Sequence, residues 1–274
     1  MLKKAVFMDL DDTLLDSKKQ ISRENKEAIE KAAAQGNAMV ICSGRPVTTV
    51  LPIVHELGFD RIGGYAICFN GALIYDCRAG KVLCGTPMDP KDIDLVFQEA
   101  DRLGIHCHAY DSHGMVSRSM DKETKYYMEV TGIDQRTLPS LPDGLTEPAY
   151  KLLALSLNDK EILKELKRRV LRKTSGRISC FFSNDQFLEF GAYGIDKGAG
   201  IRQVCALLNI PLSQTIGIGD SENDVPMLSV TGLSCCMANG NQECKGVSHY
   251  ITKRDCNHSG VAEVIKKFVL EAEK

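Results

Sequence analysis

Apolar and polar positions along the chain fall into short blocks that alternate between two periods. Residues 4–10 form an apolar run that closes on acids, the pattern of a buried strand delivering carboxylates at its C-terminal end. Ser22 stands where an N-cap belongs, ahead of a helix over 23–35 with Ala28, Ile29, Ala32 and Ala33 on one face and Gly36 to stop it. Residues 38–42 are a second buried run. Pro46 can open the next helix at its first position, and Gly58 ends it. Residues 65–69 predict a third strand. Strand, helix, strand, helix, strand at this spacing predicts a right-handed parallel sheet covered by helices on both faces.

The rhythm changes after Asn70. Short runs at 73–75 and 81–84, with Gly80 between them, predict a hairpin. Helix-period stretches at 89–103 and 158–173 are interleaved with alternating runs at 105–110, 152–157 and 178–182, which predicts an α+β unit with a more antiparallel sheet. Pro139, Pro142 and Gly144 mark a loop inside it. Near residue 190 the first rhythm returns: helix 197–208, strand 215–218, helix 222–228, strand 233–237 and a closing helix 261–270. The expected fold is α/β, a parallel-sheet core made of residues 1–83 and 189–274, split by an inserted α+β domain of residues 84–188.

Composition narrows the partners. With 34 Lys+Arg against 36 Asp+Glu the net charge is −2, so there is no basic excess for a nucleic-acid backbone and no polybasic block for an anionic membrane. The N-terminal apolar run is broken by Asp9, so neither a signal peptide nor a membrane span is expected, and a cytoplasmic location is. Eleven cysteines are scattered with no C-x-x-C pair, so buried free thiols are expected rather than a zinc site or a disulfide framework.

Candidate chemistry sits at the predicted strand ends. Asp9-Leu10-Asp11-Asp12-Thr13 ends the first strand, where ligands of parallel α/β sheets bind, and strand alternation puts Asp9 and Asp11 on one side. Two carboxylates this close repel unless a cation or shared proton relieves them, and Mg2+ is the natural partner; a solvated acidic turn is the plainer reading of this segment alone. Gly217-Ile218-Gly219-Asp220 also ends a strand in an acid, followed by Asn223-Asp224. Ser43-Gly44 ends the second strand with backbone N–H groups to offer an oxyanion, and Lys197 opens the helix after the insertion. A carboxylate nucleophile, a second carboxylate for proton transfer, a metal and phosphate anchors are the parts of phosphoryl transfer through an aspartyl phosphate.

With these residues in hand, the chain resembles a haloacid dehalogenase-superfamily phosphatase of the Cof type. Asp9-x-Asp11-x-Thr13 matches that family's first motif, Ser43-Gly44-Arg45-Pro46 its second, Lys197-Gly198 its third and Gly219-Asp220-x-x-Asn223-Asp224 its fourth. Asn70-Gly71-Ala72 resembles the subgroup's strand-to-cap signature, and Ser259-Gly260-Val261-Ala262 its C-terminal loop. Asp12 stands where many members have glycine. The resemblance implies a Rossmann-like core with an inserted cap. It implies that Asp9 is the nucleophile and a Mg2+ ligand, and that Asp11 is the acid and base, its carbonyl on the metal. It also implies Asp220 and Asp224 as further residues of the metal site. By the same resemblance Lys197 is catalytic as well as substrate-binding, and Leu10, Ser43, Gly44, Arg45 and Asn223 are expected to bind the phosphorylated substrate with it. The substrate class it implies is a small phosphorylated metabolite, sugar phosphates foremost, with oligomeric state left open.

Other readings are weaker. His106-x-His108 with His113 lacks a fourth ligand spaced for a metal, so surface or cap-lining histidines are expected. Gly217-x-Gly219 is no dinucleotide fingerprint, and no nucleotide-triphosphatase loop is present. The basic run of Lys164, Lys167, Arg168, Arg169, Arg172 and Lys173 shares its helix with Glu161 and Glu165, the mark of a solvated face. Two rivals to a phosphatase remain. A phosphotransferase or mutase would use the same aspartyl phosphate. A non-catalytic phosphate-binding module of receiver type would need its acceptor aspartate where this chain has Asn70.

Overall fold

The computed structural model describes residues 4–270, which form two compact units. One comprises the described residues up to Arg45, Val50–Cys84 and those from Asp196 on; the other comprises Pro46–Thr49 and Gly85–Ile195.

The first unit is built on an eight-stranded sheet. At its centre the strand Ala5–Asp9 is buried along its whole length, as an apolar run covered on both faces must be. It pairs in parallel with Thr215–Gly219 on one side and Ala38–Cys42 on the other. Leu233–Cys236 and Tyr250–Ile251 extend the sheet beyond the first, and Tyr65–Cys68 beyond the second, all in parallel. Leu73–Asp76 then folds back antiparallel onto Tyr65–Cys68, with Lys81–Gly85 at the edge, so the hairpin read from Gly80 is present. Strand order therefore reverses at Ala5–Asp9. That is the switch point where the connections diverge and leave a crevice at the strand's carboxyl end.

The helix Arg23–Ala34 begins at Ser22, whose side chain accepts from the Asn25 N–H. Ala28, Ile29 and Ala32 are buried as expected, but Ala33 is half-buried. The fourth inward position is Asn25, whose Oδ1 accepts from the Ala262 N–H at 2.9 Å and ties this helix to the C-terminal one. The helix expected from Pro46 to Gly58 runs Val47–Glu56; Gly58, at φ 70°, then turns the chain into a short helix Phe59–Ile62. The helix expected over 222–228 divides into a single 3-10 turn Glu222–Asp224 and a helix Val225–Val230 with Pro226 in its first turn.

The second unit carries a six-stranded, mostly antiparallel sheet. The helices Pro90–Leu103 and Lys160–Thr174 pack Phe97, Val96, Leu163 and Leu166 against Ala109, Leu152, Leu188 and Phe190 of one face. Lys164, Arg168 and Arg169 pair with Glu161 and Glu165 on the solvated side of Lys160–Thr174, as read from the sequence, whereas Lys173 of the same run turns to the buried Glu99 carboxylate at 2.5 Å. The histidine expectation needs correction. His108 is fully buried and His106 nearly so, because a helix not foreseen in the sequence, Lys122–Thr131, sets Tyr127 against the His108 ring at 4.8 Å. His106 bridges Asp121 and His108 at 3.0 Å each, while His108 Nε2 is buried without a hydrogen-bond partner, and among the described residues no metal-holding group gathers here.

All eleven cysteines are free thiols and nine are buried. Among the described residues no helix is long and apolar enough to cross a membrane.

Candidate active site

The parallel register brings Asp9, Cys42 and Gly219 level at one edge of the sheet, so the loops that follow them meet. Asp9 is the last residue of its strand. There the strand alternation ends, because the next residues turn back: the Leu15 N–H donates to the Leu10 carbonyl at 2.8 Å, and Asp12 adopts φ 58°. This left-handed conformation favours glycine, and aspartate is among the few other residues that tolerate it.

The two carboxylates that alternation placed on one side have different partners. Asp9 gathers with Asp220 and Asp224, with oxygens from all three within 4.8 Å of one another. Asp11 turns instead to Arg45, whose Nε and Nη2 donate to its two oxygens at 2.8 and 2.6 Å, and to the Lys19 ammonium at 2.9 Å. Burial would push the Asp11 carboxyl up, but the bonds and charges of Arg45 and Lys19 outweigh it and hold the carboxyl below the usual carboxylate range.

Lys197 is the cation among the acids. It is fully buried at the first turn of the helix Lys197–Leu208, whose N-cap Asp196 accepts from the Ala199 N–H. Its ammonium donates to Asp9 Oδ1 and to Asp224 Oδ1, both at 2.5 Å. Burial works against its charge, yet the two carboxylates more than restore it and the lysine stays protonated. Asp224 is fully engaged, since its Oδ2 accepts from the N–H groups of Asp220 and Ser221 at 2.9 and 3.1 Å. It therefore ties the lysine to the loop while lying within the acidic cluster. Asp9 and Asp220 each keep Oδ2 outside the hydrogen bonds of the described residues. Thr13 donates to Asp220 Oδ1 at 2.7 Å.

Burial, then the charge of Asp224, raises the Asp9 carboxyl well above its ordinary value despite Lys197. Burial likewise lifts Asp220 to about 6, with Thr13 working against it and Asp224 with it. Clustered, desolvated carboxylates with hard oxygen donors to spare are what a small divalent cation stabilises, so the donor set fits a hard divalent metal ion.

The remaining candidates surround this centre. Ser43 is buried with its Oγ accepting from the Arg45 N–H at 3.2 Å. Gly44 lies against the Asn70 carboxamide, where a Cβ would come within 3.0 Å of Nδ2 and Oδ1. Asn223 Nδ2 donates to Asn70 Oδ1 at 3.4 Å. The Leu10 side chain is buried in the core, leaving its peptide group as what it can offer a ligand. Arg45 is committed to Asp11. Thr13, Lys19 and Asn70 join the site without having been singled out as site residues, although Thr13 and Asn70 lay within recognised motifs.

Residues 6–265 match the sequence profile of the haloacid dehalogenase-like hydrolases. A Streptococcus pyogenes protein provisionally named a phosphatase is 30% identical, over 97% of this chain and 98% of its own. A Bacillus subtilis protein named 5-amino-6-(5-phospho-D-ribitylamino)uracil phosphatase is 26% identical over 97% and 96% of the two chains. The solved structure of a haloacid dehalogenase-like hydrolase from Bacteroides thetaiotaomicron superposes with a TM-score of 0.88 at 27% identity, covering 97% of this chain and 99% of that one.

Proposed function

Because the chain belongs to the haloacid dehalogenase-like hydrolases and has relatives named as phosphatases, we propose that it is a Mg2+-dependent phosphatase hydrolysing small phosphorylated metabolites through an aspartyl phosphate on Asp9. The observation that carries this reading is the setting of Asp9: buried at the switch point, one oxygen on Lys197, the other outside the hydrogen bonds, with Asp220 beside it.

In this reading Asp9 Oδ2 attacks phosphorus, while Lys197 on Oδ1 compensates the charge left behind and reaches a phosphoryl oxygen. The Asp9 and Asp220 carboxylates and the Asp11 carbonyl would hold Mg2+, which would supply charge neutralisation for the phosphoryl group. Asp11 protonates the leaving alkoxide and then takes the proton of the water that cleaves the aspartyl phosphate. Arg45 and Lys19 favour the ionised form needed for that second half, so proton delivery in the first half requires this grip to loosen. Ser43, the Gly44 and Leu10 peptide groups and Asn223 hold the phosphoryl oxygens, and residues 84–188 act as the cap that discriminates among leaving groups.

Sugar and polyol phosphates lead the substrate class, a choice supported by the ribitylamino phosphate named for the Bacillus subtilis relative. The test is release of inorganic phosphate from a panel of phosphorylated metabolites with Mg2+, run beside Asp9→Asn. Turnover by the unaltered protein and a loss of several decades in the variant support the reading. Retention of more than about a hundredth of the rate by Asp9→Asn removes the nucleophile assignment.

A further inference from the structure

The segment between Tyr65–Cys68 and Leu73–Asp76 is the most strained on the site side of the sheet. Phe69, Asn70 and Gly71 take φ of 52°, 54° and 109° in succession, two of them without a glycine's freedom. Such a run persists only where its surroundings fix it, and the surroundings here are the phosphate-binding candidates themselves. The Phe69 N–H donates to the Arg45 carbonyl at 3.1 Å and the Asn70 N–H to the Ser43 carbonyl at 3.0 Å. On the other side Gly71 lies so close to the Asp196 carbonyl, next to Lys197, that a Cβ there would come to 2.0 Å. The strained turn is thus clamped between Ser43-Gly44-Arg45 and the start of the Lys197 helix.

The side chain in the clamp has a determined orientation. Ser221 Oγ accepts from the Asp224 N–H, and its proton goes to Asn223 Oδ1 at 2.7 Å rather than to Asp224 Oδ2 at 3.5 Å. With its Oδ1 accepting, Asn223 presents Nδ2, which donates to Asn70 Oδ1 at 3.4 Å. Asn70 Nδ2 is therefore the end of the chain. Its two N–H groups have no hydrogen-bond partner among the described residues, and the amide stands against Gly44 beside Ser43.

We propose that Asn70 is a further phosphate-binding residue, its Nδ2 donating to a phosphoryl oxygen of the substrate beside Ser43 and Gly44 and its Oδ1 orienting Asn223. The proposal rests on the phosphatase reading and adds to it a donor delivered by backbone strain. A neutral carboxamide suits this position because it offers two N–H groups without adding a charge to a site already crowded with carboxylates and their cations.

Two variants isolate the donor. Asn70→Asp keeps the shape, the tolerance of positive φ and the acceptor for Asn223, and replaces the NH2 with an anionic oxygen. Asn70→Gly keeps the turn without strain and removes the amide. Inorganic phosphate binding, measured by titration calorimetry with Mg2+ present, should weaken about tenfold or more in Asn70→Gly and further in Asn70→Asp, the size of a lost bond to a charged partner. Thermal denaturation should show Asn70→Gly no less stable than the unaltered protein, and KM for a phosphate ester should rise by a larger factor than kcat falls. A purely structural asparagine predicts the opposite pattern, with Asn70→Asp binding phosphate as before; that result overturns the proposal. Hydrolysis of p-nitrophenyl phosphate by the unaltered protein separates the two levels. If it proceeds while both variants bind phosphate normally, Asn70 alone is refuted, and if the unaltered protein neither hydrolyses the ester nor binds phosphate, both readings fall.

Discussion

Arg45 grips Asp11 with two parallel hydrogen bonds, Nε and Nη2 reaching one carboxylate oxygen each at 2.8 and 2.6 Å. The fork matches the carboxylate plane, a geometry lysine cannot reproduce. It also sets the charge state of the residue assigned to proton transfer, because a doubly bonded carboxylate gives up its proton at lower pH.

Replacing Arg45 with Gln should therefore raise the Asp11 pKa toward its ordinary value, with Lys19 left as the only cation on it. Carbon-13 detected titration of the aspartate carboxyls checks this directly. The sign carries to stability as well. A depressed folded-state pKa contributes stability above the ordinary carboxylate value and loses it as pH falls through the folded one. Since Asp11 and Arg45 are partly exposed, the loss at neutral pH should stay under about 1 kcal/mol. An unmoved Asp11 titration would show that the grip is not maintained in solution.

Lys197→Met is expected to behave differently, because nothing exposed is involved. The substitution leaves Asp9 and Asp224 facing each other without their shared cation, and breaking a buried pair by removing one partner costs about 3–5 kcal/mol. Urea denaturation of the metal-free protein should show that loss, partly recovered by Mg2+, and turnover should fall by several decades. A denaturation midpoint equal to that of the unaltered protein would mean the lysine does not hold the two acids together.

Much of this arrangement is legible in the sequence, and the reason is geometric. Asp9 and Asp220 close apolar runs, so strand burial alone carries them to one edge; Lys197 follows an N-cap aspartate and lands in the first turn of its helix. What escaped is set by turns and by tertiary cover. The partners of Asp11, Arg45 and Lys19, follow from a turn that begins where the strand stops at Asp9 and in which Asp12 takes a left-handed conformation. The helix Lys122–Thr131 is mostly polar and buries little beyond Thr124 and Tyr127, so periodicity could not announce it, and the full burial of His108, expected at the surface or lining the cap, was not foreseen. Asn70 was visible as part of a motif. Its role depends on three consecutive positive φ angles that no residue pattern there encodes apart from Gly71.

The inserted unit offers a prediction about specificity. It has its own buried core around Phe97, Leu152, Leu166 and Phe190, while Asp9, Lys197, Asp220 and Asp224 all belong to the other unit. A chain in which a short Gly/Ser linker replaces residues 85–195 should keep Mg2+ binding and lose discrimination, with kcat/KM values for different phosphate esters converging. If it ranked the esters as the full chain does, the assignment of leaving-group selection to this unit would have to be abandoned.

Thr13 supplies the most direct handle on the metal. Its hydroxyl donates to Asp220 Oδ1 at 2.7 Å from a fully buried position, so Thr13→Val removes the bond with little change of shape. That bond is one of the influences holding Asp220 down to about 6 against burial and the charge of Asp224. Without it the Asp220 pKa should rise further. Mg2+ requires the carboxylate, so its affinity should increase as pH rises through the Asp220 value, and the midpoint of that increase should move to higher pH in the variant. Stability of the metal-free protein should run the other way. A carboxyl raised from 3.8 to about 6 on folding binds its proton more tightly in the folded state, so its contribution is full at low pH and is lost as pH rises through about 6. Mg2+ titrations by calorimetry at pH 5 to 8, set beside melting temperatures without metal, read both slopes. Midpoints that coincide in Thr13→Val and the unaltered protein would show that Asp220 does not govern metal binding.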